Sequence, residues 1–154
     1  MTRVKPSKIA IKQAPNHLID LIQSQWSQAL RAPAGRDRDL LLHSLVENTD
    51  ELRAAYPQDS RVQLWTGVVS AGYGRELGGV CGLELMNKAK AALEQAIALN
   101  PEDGAAYLYL GFLYESVPVK PYCFGDEALA KHFLSLGLKL TLKTPNKLRL
   151  AVPA

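Results

Sequence analysis

Apolar side chains recur at helical spacing through most of the chain. Leu18, Ile22, Trp26 and Leu30 fall on one side of a helix that opens after Pro15, with Asn16 as its cap. Pro33 and Gly35 break it. Leu41, Leu45, Leu52 and Ala55 then share a face from about Asp37 to Tyr56. Pro57-Gln58-Asp59-Ser60 starts a third helix, capped by Asp59 or Ser60, in which Val62, Leu64, Trp65, Val68 and Val69 spread a broad apolar surface as far as about Tyr73. Leu83 to Leu99 predict a strongly amphipathic fourth, with Ala89, Leu93 and Ala96 as contact residues. After Asn100-Pro101-Glu102-Asp103, where Asp103 can accept from the free N–H groups of a first turn, Tyr107, Leu110, Gly111 and Tyr114 share a fifth helical face. Ala130, Phe133, Leu134, Gly137 and Leu138 predict a sixth, to about Leu142.

No pair of such helices can bury its stripes alone, so the pattern predicts an all-α protein of about three antiparallel helix pairs packed side by side. Proline spacing sets the period: Pro57, Pro101 and Pro145 stand 44 residues apart, Gly67 stands 44 before Gly111, and Pro15 stands 42 before Pro57. The expected pairs are about 16–56, 58–99 and 101–142, within one domain of 1–154 that has tails at 1–14 and 143–154. Loops of about ten residues are expected between the two helices of each pair, the glycine-rich Gly72 to Gly82 being one of them. Beyond Leu142 the alternation of Leu138, Leu140, Leu142 with Leu148, Leu150 and Val152 around Thr144-Pro145-Asn146-Lys147 also fits a β-hairpin. Those leucines, with no polar capping helix after them, imply either a packed tail or self-association into a homo-oligomer.

Asn-Pro-x-Asp followed by Tyr107, Leu110, Gly111 and Tyr114, then a helix with small residues at its contact points, resembles a tetratricopeptide repeat. That resemblance implies a right-handed α-solenoid whose first helices line a concave groove. Carried over by position, the groove residues are Arg61, Leu64, Val68 and Ala71 in one repeat, and Ala105, Leu108, Phe112 and Glu115 in the next. It further implies a noncatalytic interaction or scaffold module that binds a peptide or partner helix. The long Val117 to Asp126 stretch departs from the tight turn of the family. It is similar to the loops of bacterial envelope repeat proteins such as the T-component of tripartite periplasmic transporters. That likeness implies a transporter-associated ligand-binding or coupling component, and the apolar groove lining itself suits an apolar peptide, an amphipathic helix or a small organic acid held by Arg61.

Composition narrows the partners. The chain has 154 residues, 47% hydrophobic and 21% charged, which suits one globular domain, and no apolar run is long enough to span a membrane. The net charge of +3 sits at the two ends, in Arg3, Lys5, Lys8 and Lys12, and in Lys131, Lys139, Lys143, Lys147 and Arg149. Neither arm interleaves aromatics for base stacking, so nucleic acid is not an expected partner. No apolar stretch follows the basic start as in a signal peptide, so a cytoplasmic site is expected unless a leader has been removed.

No catalytic constellation emerges, and no metal or cofactor is expected. His17, His43 and His132 fall in separate helix pairs without a second ligand at metal-binding spacing. The Gly72, Gly74, Gly78, Gly79 run follows a helix and lacks a Gly-Lys-Ser/Thr ending, so it is expected to be a flexible connection rather than a phosphate loop. Cys81 and Cys123, each expected in a loop on the same edge of the stack, would bond in an oxidising compartment and stay as thiols in a reducing one. In the last loop Asp126 can cap the final helix. Tyr122 and Phe124 either fold back onto the helices or meet a ligand at the rim.

Overall fold

The computed structural model describes residues 12–143. Among them are six helices and no strand: α1 (Asn16–Arg31), α2 (Arg36–Ala55), α3 (Ser60–Leu77), α4 (Gly79–Leu99), α5 (Gly104–Ser116) and α6 (Glu127–Lys143). The all-α class therefore holds. Arg3, Lys5, Lys8, Lys147 and Arg149, and the hairpin alternative around Pro145, lie outside the described residues.

Each helix packs on the next in sequence, while α1 also meets α3 and α3 also meets α5. The core is centred on α3, where every residue from Val62 to Ser70 is buried. Asp59 Oδ1 accepts from the Arg61 N–H at 2.9 Å and Asp103 Oδ1 from the Ala105 N–H at 3.1 Å, so the cap recurs at the 44-residue period. Asp126 Oδ1 accepts from the Leu129 N–H at 3.0 Å at the start of α6.

Several expectations need correction. Asn16 is the first helical residue and makes no cap; its Oδ1 accepts from Arg61 Nη1 at 2.6 Å instead. The buried stripe of α1 is Ile19, Ile22, Trp26 and Ala29, while Leu30 is half exposed. On α2 it is Leu42, Leu45, Val46 and Thr49, with Leu41 and Leu52 packed at its margin and Ala55 exposed. The α1 stripe thus keeps its expected direction through Ile22 and Trp26, whereas that of α2 is rotated by about one residue.

The loops differ most. Residues 32–35 join α1 to α2, and Gly78 alone separates α3 from α4, so only the 117–126 connection has the expected length. In the first two pairs the length expected of the loops lies in longer helices instead. The Gly72 to Gly82 segment is thus not a loop but a sharp reversal between helices. Gly78 and Gly79 adopt φ of +64° and +61°, a region side chains avoid, which lets the chain turn within a residue. Just behind the turn, a Cβ on Gly82 would stand 2.5 Å from the Gly74 carbonyl oxygen, so α3 and α4 touch there backbone to backbone.

Cys81 accordingly lies in the first turns of α4 and is exposed, whereas Cys123 lies in the 117–126 loop and is partly buried; no bond joins them. Native-state alkylation is expected to modify Cys81 several-fold faster than Cys123. Two titratable thiols in the unfolded, unreduced protein would confirm the free pair, and none would show that they are bonded.

In the same loop Phe124 packs edge-on against Tyr114 at 5.4 Å, and Lys90 Nζ stands 5.7 Å over its ring. Tyr114 in turn stacks on Phe133 of α6 at 5.6 Å. Phe124 therefore pins the loop to the helices, while Tyr122 remains 80% exposed.

Candidate partner-binding face

The contacts of α3 with α1 and α5 bring these three helices to one face, which carries two recesses. The upper recess is walled by Trp26 of α1, by Val68, Ala71, Gly72 and Arg75 of α3, and by Tyr109 and Phe112 of α5. Gly72 is what lets the indole in: a Cβ there would sit 2.5 Å from the Trp26 ring. Phe112 meets the edge of Tyr109 at 6.4 Å, and burial pushes the Tyr109 phenol up to about 12, so it stays protonated at neutral pH. The recess holds about 40 Å³, enough for a few waters or one small side chain.

The lower recess is larger, about 420 Å³, and more polar, with Ile19, Asp20, Gln23, Arg61, Leu64 and Trp65 on its walls. Its cation is already engaged. Arg61 donates from Nε to Asp59 Oδ1 at 3.1 Å, from Nη2 to Asp59 Oδ2 at 2.7 Å and to the Ala14 carbonyl at 2.8 Å, and from Nη1 to Asn16. Those bonds fasten the start of α1 to the start of α3, and they leave no favourable fork for an incoming carboxylate.

No family model, curated protein or solved structure matches the chain. The face must therefore be interpreted from its own geometry.

The residues expected in the groove are divided by that geometry. Val68, Ala71 and Phe112 meet in the upper recess, and Arg61 and Leu64 in the lower. Leu64 and Val68 are nearly enclosed, at 4% and 3% exposure, so they floor the recesses rather than project from them. Ala105 is buried, and Glu115 is exposed without lining either recess. Leu108 does not face the groove: it lies against α6, where Gly137 leaves room for it. With Leu108 turned to α6, α5 gives Tyr109, Phe112, Leu113 and Ser116 to the upper recess, so that of its expected groove residues Phe112 alone lines it.

Trp26, Tyr109, Gly72 and Arg75 were not expected in the groove from the sequence. A helical spacing of three and four around Phe112 reaches Tyr109 and Ser116, so that part was available. Trp26 depends on the α1 to α3 contact, which no local pattern announces.

Among the described residues no three His, Cys, Asp or Glu side chains gather into a metal-binding group. His43 meets Glu47 at 3.1 Å on the exposed side of α2 and the edge of the Tyr73 ring at 5.9 Å.

Proposed function

We propose that the protein is a noncatalytic interaction module, a right-handed tetratricopeptide-like α-solenoid whose α1, α3 and α5 face receives a partner peptide or helix. The supporting observation is the shape and chemistry of the upper recess. Small-molecule sites commonly measure roughly 300–1,000 Å³, whereas this recess is about 40 Å³ and almost wholly apolar apart from Arg75 and Ser116. It suits an anchoring side chain delivered by a longer ligand, the way amphipathic segments seat in helical grooves. A second reading, a transporter-associated small-ligand component, draws its support from the size of the lower recess, although Arg61 is engaged there.

A random-peptide library displayed on phage and selected on the full-length protein tests the first reading. Enriched peptides are expected to bind the wild type and to lose about tenfold or more in affinity on Phe112→Glu, which places a charge against the apolar recess. Unchanged capture by that variant, or no enrichment at all, would discard the groove. Native mass spectrometry showing a copurified small molecule that Leu64→Ala releases would favour the second reading.

A further inference from the structure

Arg75 and Ser116 border not only the upper recess but also a second hollow on the other side, where α3 reverses into α4. This elbow hollow holds about 520 Å³ and is walled by Gly74, Gly78, Val80, Met86 and Val117. Val80 is 75% exposed and the neighbouring Leu77 is 42% exposed. Gly78 and Gly79 have nothing within 4 Å of where a Cβ would stand, so the residues required by the turn also leave the hollow unfilled.

Charge is as uneven as shape. Among the described residues no acid lines either hollow, and Arg75 between them is exposed, with no ion pair or hydrogen bond to any of them. The adjacent Glu76 is held by Arg38 at 3.0 Å, so it does not neutralise Arg75. An unpaired arginine on a surface is ordinary by itself; here it stands on the ridge between two apolar hollows.

From this we infer that the partner is a peptide segment carrying one acidic residue between two apolar ones. A small apolar side chain enters the Trp26 and Phe112 recess, the carboxylate pairs with Arg75, and a larger apolar side chain fills the elbow beside Val80. The inference rests on the groove reading above and adds to it a second hollow and a charge. An apolar chain ending in a carboxylate, such as a fatty acid, would use the elbow and Arg75 but leave the upper recess empty. Two separate apolar hollows flanking one cation fit a peptide better.

The library-selected peptides decide it. Enriched sequences are expected to hold Asp or Glu with apolar residues on both sides. Arg75→Glu should weaken them about tenfold or more and should regain binding when the peptide acid is changed to Lys. Val80→Asp should weaken the same peptides, and bound peptide should slow alkylation of the exposed Cys81 next to it several-fold. Enrichment without acids, indifference to both Arg75→Glu and Val80→Asp, or displacement of the peptide by dodecanoate would overturn the inference. If Phe112→Glu abolishes binding while those two variants do not, the groove stands and the elbow falls. If no peptide enriches, both fall.

Discussion

Asp59→Ala is expected to lower the unfolding free energy by about 2–3 kcal/mol, since it removes a helix cap and strands buried donors. The carboxylate is fully buried and accepts from the Ala14 N–H at 2.9 Å, from the Arg61 N–H, and from the Arg61 guanidinium. It thus ties the segment before α1 to the first turn of α3, a link across 45 residues. Arg61 is 37% exposed and can turn to water once its partner is gone, which keeps the loss below that of a wholly enclosed pair. The Ala14 N–H has no such escape. Asp59→Asn should cost less, because it keeps one oxygen for the cap while presenting an N–H to a site built from donors.

The same residue sets an acid limit. Burial on its own would raise the Asp59 carboxyl, but the Arg61 side-chain bond, the Ala14 and Arg61 backbone N–H groups and the Arg61 charge together hold it below its ordinary 3.8. A carboxylate depressed in the folded state takes up its proton more readily in the unfolded chain. Its contribution is therefore complete above pH 3.8 and is lost as pH falls below that value toward the folded one. Urea unfolding between pH 5 and pH 2.5 should show a steeper decline for the wild type than for Asp59→Asn. Parallel curves would mean the pair does not form in solution.

The pairing of helices was legible in the sequence because each pair starts with its own stop and start signals. Pro57 with Asp59 and Pro101 with Asp103 mark the second and third starts, and the structure has caps at both aspartates. What the sequence obscured was the junction inside the first two pairs. Glycine is a helix breaker by propensity, so Gly72 to Gly82 suggested a loop. In the fold, close packing against Trp26 and across Gly74 and Gly82 outweighs a backbone cost of about 1 kcal/mol per glycine. The groove was half legible for a similar reason: α5 is apolar almost all round, so periodicity did not fix which side faces α6. The Leu108 contact with Gly137 fixes it, and that contact joins positions 29 residues apart.

Leu93→Ala is expected to be the most damaging single truncation, at about 3–5 kcal/mol, because the side chain has 0% exposure and its removal leaves a cavity between α3 and α4. Its Cγ stands 2.6 Å from where a Cβ on Gly67 would be, so Leu93 fills the notch that this glycine leaves. Gly67→Ala alone should therefore destabilise by about 1–2 kcal/mol, overpacking exceeding the gain in helix propensity. In the Leu93→Ala background the new methyl enters vacated space, and the same change should become neutral or stabilising. The resulting coupling of roughly 1–3 kcal/mol would be read from urea midpoints at unchanged m value. Gly111, 44 residues after Gly67, meets Leu134 in the same way, with a Cβ to Cγ distance of 2.7 Å. Leu134 is only partly buried, so its cycle should have the same sign and a smaller size. Additive effects at both sites would mean that the glycine and leucine of each pair do not meet, and the stacked helix pairs that create the groove would lose their physical basis.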